Sequence, residues 1–259
     1  MSDTPSGIRI VTLLGTPRPG NFTGKALRLV DAELREQGAN VETFDAAEMD
    51  LAPPGSAPTE DARAMQEAVG AASGVVLSTP EYHGCFSSTL KLMIENLGFP
   101  SALRGKPVAL LGVASGRIGA IKSLEQLRGV CSHVGAIVLP GPVSVAGVNR
   151  VFDEEGNCLD EGIEKQVRGV ATNLMHYLHQ NVCPRMALEA RPQRESGSVA
   201  HRRVLVGQQR EQAVGRRGTV WEPGQRAGRV EAYIRNRVGR RLDQMRHGLL
   251  PPRSSAQRI

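Results

Sequence analysis

The regular alternation of apolar runs with helix-periodic segments, over residues 8–180, is the feature that most constrains how this chain can fold. The first run, residues 8–14, is almost entirely aliphatic with little polar alternation, which is typical of a strand buried on both faces of a parallel sheet. Five strands that alternate with five helices predict a doubly wound α/β sheet with helices on both faces. The predicted strands are residues 8–14, 41–44, 74–79, 107–113 and 136–139, and the predicted helices are residues 26–37, 60–72, 88–97, 118–134 and 161–180.

The balance of charge divides the chain near Ala190. Residues 1–189 hold 16 Lys and Arg against 21 Asp and Glu, a net charge of −5, whereas residues 190–259 hold 16 Arg, no Lys and 5 acids, a net charge of +11. We therefore expect an acidic globular domain over residues 1–189, followed by a basic Arg-rich tail over residues 190–259 that is disordered or partly helical.

The tail leaves two other interpretations open. Apolar residues recur in it every four positions, which is compatible with a basic amphipathic helix that lies on nucleic acid, on an anionic membrane or on its own domain. These residues are Val230, Ile234, Val238 and Leu242. A stretch with Arg as its only strong cation is also what GC-rich DNA read in another frame would encode.

Composition also argues against membrane and secreted classes. No apolar run approaches the roughly 18 residues that a membrane-spanning helix needs, and residues 1–7 lack the basic and apolar regions of a signal peptide. The four cysteines are far apart and form no Cys-x-x-Cys motif, so we expect reduced thiols in a cytoplasmic protein. They are Cys85, Cys131, Cys158 and Cys183.

The loop after the first predicted strand, residues 15–23, is the first candidate binding segment, because open α/β sheets bind ligands beyond the carboxyl ends of their strands. The Arg18 guanidinium, the short polar side chains of the loop and the free N–H groups of the following helix together suit a phosphate. These polar residues are Thr16, Asn21 and Thr23. The alternative is an ordinary turn with a Thr helix cap. The loop matches neither the Walker A motif nor the dinucleotide-binding Gly-x-Gly-x-x-Gly motif.

The loop after the third predicted strand reads Thr-Pro-Glu-Tyr-His-Gly-Cys over residues 79–85. Thr79 precedes a proline, so we expect it to be extended and to end the strand. Tyr82 beside Gly84 suits a flat ligand ring that lies against the loop, although Tyr82 could instead cap the core. For His83 we favour the role of a hydrogen-bonded loop residue over that of a catalytic base. For Cys85 we favour a packed thiol over a reactive thiolate.

The loop after the fourth predicted strand, residues 114–119, also opens a helix. Gly116 and Gly119 let main chain approach a ligand closely, but glycine-rich loops of this kind are common. Farther along, His176, His179 and Cys183 have the spacing of one helical face. No fourth ligand lies near them, so we predict no metal site there.

These loops, in this order, resemble those of the NADPH-dependent FMN reductase family, a branch of the flavodoxin-like fold. The family typically reads Gly-Ser-x-Arg-x-x-Ser-x-Asn after its first strand and Thr-Pro-Glu-Tyr-Asn-Gly after its third. Here the first motif is Gly15-Thr16-x-Arg18-x-x-Asn21-x-Thr23, and the second is residues 79–84 with His83 in place of Asn. The resemblance covers residues 8–180, and it implies five parallel strands in the order 2-1-3-4-5.

The resemblance also implies a site and a reaction. Thr16, Arg18, Asn21, Phe22 and Thr23 would contact FMN, with the polar groups at its phosphate. Pro80, Glu81, Tyr82, His83 and Gly84 would line the isoalloxazine, and Ser115, Gly116 and Gly119 would lie at its other edge. The bound flavin would take hydride from NADPH or NADH and pass electrons to free flavin, a quinone, an azo compound or a metal oxyanion. The family also implies a homodimer or homotetramer.

The alternative is a non-enzymatic FMN protein, either an electron carrier or a redox sensor associated with nucleic acid through the basic tail. A carrier usually guards its flavin with aromatic rings. The aromatic residues near these loops are few, namely Phe22, Tyr82 and Phe86, which leaves an open face for a nicotinamide. We therefore favour the enzyme.

Overall fold

The computed structural model describes residues 7–184, so the predicted domain boundary near Ala190 and the predicted tail helix lie outside the described residues. The strands are Arg9–Leu14 (β1), Asn40–Asp45 (β2), Gly74–Tyr82 (β3), Cys85–Phe86 (β4), Pro107–Val113 (β5), Ile137–Val138 (β6) and Val143–Val145 (β7). The α-helices are Phe22–Glu36 (α1), Glu60–Ala71 (α2), Ser88–Glu95 (α3), Ile121–His133 (α4) and Glu161–Tyr177 (α5). Over residues 7–184, no helix combines the length and apolar character needed to cross a membrane.

The parallel strands lie in the order β2-β1-β3-β5-β6. The start of β5 pairs with β6, and the end of β5 pairs with β7 on the same side. Strands β6 and β7 together occupy the fifth position, so this order is the predicted 2-1-3-4-5. The predicted fifth strand, residues 136–139, is thus shorter than expected and is followed by a second short segment. The chain turns between the two segments at Gly141, whose φ of 78° a glycine adopts without strain.

Both faces of the sheet are covered, as predicted. Along β1, Ile10 and Leu14 face a core cluster with α1 and α5, whereas Val11 and Leu13 face a second cluster with α2, α3 and α4. Alternation of side chains along a strand produces this division, and burial on both faces explains why β1 is apolar almost throughout.

Four of the five helices begin with a side chain that accepts a backbone N–H three residues on, which satisfies one free donor of the first turn. The capping residues are Asn21, Thr59, Ser87 and Asp160. The alternative of a Thr cap for α1 is wrong, because Asn21 caps the helix and Thr23 lies inside it. Helix α4 begins after Ala120, which provides no side-chain cap.

The third strand does not end at Thr79 as predicted. Thr79 is extended, but β3 continues to Tyr82 and then turns back into β4. Pro80 is tolerated because it pairs with Val113 at the last position of the β3–β5 ladder, where a missing N–H interrupts nothing beyond it. The strand therefore carries Glu81 and Tyr82 past the ladder with β5, where they pair with β4 in a hairpin.

The last helix is also shorter than predicted. Helix α5 ends at Tyr177, and a π-helical turn, Leu178–Val182, follows. A π turn has a different rotation per residue from an α-helix, so His176, His179 and Cys183 do not follow the α-helical spacing on which the expected face rests. In the described part of the chain, no three His, Cys, Asp or Glu side chains are grouped as a metal site would require.

Candidate functional site

The loop after β1, the end of β3 in the β3–β4 hairpin and the loop after β5 meet at the carboxyl edge of the sheet and border a cavity of about 310 Å³. Eight of the predicted site residues line it: Arg18, Asn21, Phe22, Thr23, Pro80, Glu81, Tyr82 and Ser115. Residues that the sequence did not single out complete the lining: Pro19, Gly20, Val113, Ala114 and Val148. The predicted residues outside the lining are Thr16, His83, Gly84, Gly116 and Gly119.

The first loop is held in shape by its own polar groups. The Asn21 Oδ1 accepts from the N–H of Gly24 at 2.6 Å, and its Nδ2 donates to the carbonyl of Arg18 at 2.8 Å. Thr16 is 1% exposed, and its Oγ1 accepts from the N–H of Arg18 at 3.4 Å. Thr16 and Asn21 therefore fix the main chain around Arg18, and their side chains are engaged within the loop.

Arg18 supplies the positive charge of the cavity. Its side chain is exposed and forms no ion pair with any residue of the described range. The N-terminus of α1 opens into the same cavity and adds partial positive charge from its free N–H groups. This end of the cavity suits an anion such as a phosphate.

Close packing joins the first loop to α3. A Cβ on Gly15 would lie 2.5 Å from the Cβ of Leu90 and 2.8 Å from the carbonyl oxygen of Ser78, so only glycine fits there. The Ser87 hydroxyl donates to the carbonyl of Gly15 and accepts from the N–H of Leu90. Helix α3 thus sets the position at which the loop leaves β1.

A two-residue turn, His83 and Gly84, connects β3 to β4. Their φ values are 51° and 73°, the pair of positive angles that a type I′ turn requires. Such turns favour Asn-Gly, and His is among the residues that tolerate a positive φ. The His83 departure from the Asn of the motif is therefore explained by the turn. His83 and Gly84 shape the hairpin, while Pro80, Glu81 and Tyr82 line the cavity.

Three hydrogen bonds attach the hairpin to α4. The Glu81 Oε2 accepts from the N–H of Ser123 at 3.1 Å. The Gln126 Nε2 donates to the carbonyl of Gly84 at 3.0 Å, and its Oε1 accepts from the Cys85 thiol at 2.8 Å. Sequence reasoning missed Gln126, because an exposed glutamine on a helix surface has no distinguishing pattern.

The third loop is folded against β7. A Cβ on Gly119 would overlap the Ser144 hydroxyl, and that hydroxyl accepts from the N–H of Ala120 at 2.8 Å. The carbonyl of Gly116 accepts from the N–H of Gly147 at 3.1 Å. Gly116 and Gly119 thus join the loop to the segment after β7, and this contact brings Val148 to the cavity wall.

Comparison with known proteins gives a consistent result. Residues 8–149 match the family model described as NADPH-dependent FMN reductase. The chain is 31% identical over 175 residues to an NADPH azoreductase from Bacillus sp. strain OY1-2, an alignment that covers 66% of this chain and 93% of the relative. It is 29% identical over 185 residues to a quinone reductase from Escherichia coli strain K12, covering 67% of this chain and 96% of the relative.

A solved structure shows the same fold. The flavoenzyme NAD(P)H:(acceptor) oxidoreductase FerB from Paracoccus denitrificans superposes with a TM-score of 0.59 at 18% identity, covering 67% of this chain and 98% of that one. The predicted flavodoxin-like fold class is confirmed.

Proposed function

Because this chain belongs to the NADPH-dependent FMN reductase family, we propose that it holds FMN in the cavity between the loop after β1, the β3–β4 hairpin and the loop after β5. There it would act as an NAD(P)H-dependent oxidoreductase that passes electrons to a small organic acceptor. The observation that carries the proposal is the convergence of Arg18, Tyr82 and Ser115, from three separate segments of the chain, on one cavity at the carboxyl edge of the sheet.

The phosphate of FMN would lie at the first loop. Arg18 is the unpaired cation there, and α1 directs its first N–H groups to the same place. Because Thr16 and Asn21 hold the main chain of Arg18, the loop requires little reorganisation to receive a phosphate. We assign Thr16 and Asn21 to shaping this loop and Arg18 to the charge-assisted hydrogen bond with the phosphate.

The flavin ring would lie between the hairpin and the third loop. Pro80, Glu81 and Tyr82 lie on one side of the cavity, and Ala114 and Ser115 lie on the other. The rigid hairpin would present its main chain to the ring edge without the cost of reorganisation at the moment of reaction. In this proposal His83 and Gly84 act through the turn geometry. Gly119 acts through its close packing on Ser144, and Gly116 acts through its carbonyl, which joins the third loop to Gly147.

When bound, FMN supplies the redox chemistry, since it accepts hydride from a reduced nicotinamide and donates electrons to a second substrate. The protein supplies placement and access. Tyr82 is 43% exposed, so the cavity mouth has an aromatic surface on which a flat substrate can stack. Donor and acceptor would use this open face in turn.

A quinone or an azo compound is the acceptor class we propose. Both are flat and electron-poor, and relatives of this chain are named quinone reductase and NADPH azoreductase. Free flavin and metal oxyanions are the other acceptors to be compared. The sparse aromatic shielding, with Phe22 and Tyr82 the aromatic residues of the lining, favours an enzyme over a closed electron carrier.

Absorbance spectroscopy of the purified protein tests the proposal. Protein reconstituted with FMN should be yellow, should bleach when NADPH is added under nitrogen, and should regain its colour when benzoquinone is added. Bleaching by dithionite but not by NADPH or NADH would instead indicate a carrier.

Arg18→Ala tests the phosphate assignment. It should weaken FMN binding by about 1.5–3 kcal/mol, the usual contribution of a hydrogen bond to a charged group. Arg63→Ala, which removes an exposed arginine from α2, is the matched control and should leave the affinity unchanged. Full FMN affinity in the Arg18 variant would contradict the assignment.

We also propose that the protein is a cytoplasmic homodimer or homotetramer. Large apolar side chains are exposed on the described surface, among them Phe99, Ile118 and Ile121. Contiguous apolar patches often mark protein interfaces, and we propose that these residues belong to one. Sedimentation velocity measures the assembly, and a monomer at micromolar concentration would contradict it.

A further inference from the structure

We propose that Gln126, on α4 and outside the cavity, is a positioning residue that holds the tip of the β3–β4 hairpin in the conformation that receives the cofactor. This inference rests on the proposed function, because the hairpin matters only if the cavity beside it binds FMN. Gln126 does not line the cavity, and its side-chain hydrogen bonds go to the hairpin, so its effect on the cofactor would act through the hairpin.

Gln126 contacts the second turn residue and the strand residue that follows it. Its Nε2 donates to the carbonyl of Gly84, the second turn residue, and its Oε1 accepts from the thiol of Cys85, the first residue of β4. Both polar ends of one side-chain amide are therefore used on consecutive residues. Because an amide has a donor and an acceptor side, the contact also fixes the orientation of the side chain.

The rest of the hairpin is anchored elsewhere. At its base, the N–H of Ser87 donates to the Thr79 hydroxyl at 3.0 Å. At its middle, Glu81 accepts from the N–H of Ser123. Within residues 7–184, Gln126 provides the side-chain hydrogen bonds that hold Gly84 and Cys85.

The tip needs such a support because its own conformation is costly. His83 has a positive φ and an exposed side chain, so neither its backbone preference nor burial stabilises the turn. Tyr82 lines the cavity and is paired with Cys85 across the hairpin. A displaced tip would therefore move Tyr82, and in our proposal the hydrogen bonds of Gln126 prevent this displacement.

Gln126→Leu removes both hydrogen bonds and keeps the size of the side chain and the helix propensity. We expect FMN to bind about threefold to tenfold more weakly, the range for the loss of one or two partly exposed hydrogen bonds. In the protein without FMN, amide hydrogen exchange over residues 82–86 should accelerate about tenfold. Glu125→Leu, an exposed neighbour on α4 with no hydrogen bond or ion pair to the hairpin within residues 7–184, is the matched control and should change neither quantity.

Gln126→Glu distinguishes positioning from general stability. An ionised carboxylate cannot donate to the carbonyl of Gly84, whereas a protonated carboxyl group has one donor and one acceptor, as the amide does. The ratio of variant to wild-type dissociation constants for FMN should therefore approach one as the pH falls through about 4.3, the ordinary pKa of glutamate, and should rise above that pH. Loss of packing alone would give a ratio that does not change with pH.

The outcomes separate the two proposals. FMN affinity of Gln126→Leu within twofold of wild type, or equal effects of Glu125→Leu and Gln126→Leu, would overturn the positioning role. Wild-type protein that binds no FMN would overturn the proposed function. If hydrogen exchange over residues 82–86 still accelerated in that case, Gln126 would fix the hairpin without serving a flavin, and the inference would fail with its premise.

Discussion

The Glu81 carboxylate accepts a hydrogen bond from the backbone N–H of Ser123, at 3.1 Å and 42 positions away in the chain. Ser123 lies in the first turn of α4, a helix that Ala120 does not cap with its own side chain. Glu81 therefore supplies from the hairpin the acceptor and the negative charge that a helix N-terminus favours. The contact therefore fixes the cavity-lining hairpin to the N-terminus of α4.

Replacing Glu81 should weaken the attachment of the hairpin to α4. We expect Glu81→Ala to lower the free energy of unfolding by about 1 kcal/mol, as loss of a helix cap usually does. Glu81→Gln keeps an acceptor oxygen and should cost only a few tenths of that amount. Urea denaturation measures both, with Glu125→Ala as the control on an exposed site of α4. Equal stability of Glu81→Ala and wild type would mean that the contact contributes nothing.

Alanine should change the stability of the protein at one glycine of the cavity loops and not at another. Gly15→Ala places a Cβ against Leu90 and Ser78, so we expect a loss of roughly 1–3 kcal/mol from overpacking. Gly116→Ala places its Cβ where nothing lies within 4 Å, and we expect it to be tolerated. Thermal unfolding followed by circular dichroism compares them. A stable Gly15→Ala protein would show that the contact with α3 can relax.

The type I′ turn makes a further prediction. His83→Asn introduces the residue best suited to a positive φ before glycine, so we expect a gain of about 0.5 kcal/mol in unfolding free energy. Gly84→Ala forces a Cβ onto a residue with a φ of 73° and should lose about 1 kcal/mol. Both are measured by urea denaturation. A destabilised His83→Asn protein would show that the imidazole has a role beyond the turn.

The sequence was sufficient to predict the sheet but not the hairpin. Fully buried strands such as β1 and β5 are apolar on both faces, so their runs stand out and their order follows from the resemblance. Pro80 hid the end of β3, since a proline after Thr79 usually marks the end of a strand. The turn at His83 and Gly84 became recognisable only from its backbone angles.

The site was predictable where it rests on local pattern. Arg18 lies in a motif after the end of β1, Tyr82 lies in the Pro-Glu-Tyr motif at the end of β3, and the structure brings both to the cavity. Gln126 and Val148 reach the site through contacts between distant segments, and no spacing in the sequence marks either one. The same limit applies to Asn21, whose predicted ligand role could not be told from its helix-capping role by residue type alone.

The Arg-rich tail should be dispensable for the flavin domain. The azoreductase and quinone reductase relatives align over 93% and 96% of their own lengths, yet these alignments cover only 66% and 67% of this chain. A chain that ends at residue 190 should therefore keep its unfolding midpoint and its FMN affinity. It should also lose salt-sensitive retention on heparin, because such binding depends on the number of cations engaged. Insolubility or loss of FMN in the shortened chain would contradict residues 1–189 as the complete domain.

The final prediction concerns Asp31, a 4% exposed carboxyl group on α1 that lies against the sheet. Its Oδ2 accepts from the Thr43 hydroxyl at 2.9 Å, and that hydroxyl in turn accepts from Thr12 at 3.0 Å. Its Oδ1 has no hydrogen-bond partner in the described structure. Burial raises the pKa of Asp31, and the hydroxyl groups and the nearby Arg35 only partly oppose the rise.

A raised pKa fixes the sign of the pH dependence. The folded state holds the Asp31 proton to higher pH than the unfolded state, whose ordinary pKa is about 3.9, so the stability from this group is present below that pH and is lost as the pH rises through the folded pKa. Asp31→Asn is neutral at every pH and should escape this loss. Urea denaturation of both proteins from pH 4 to pH 8 should show the wild type losing stability relative to the variant as the pH rises. Glu67→Gln, at an exposed residue of α2, is the control. A difference in stability between Asp31→Asn and wild type that does not change with pH would show that the buried carboxyl group does not titrate in this range.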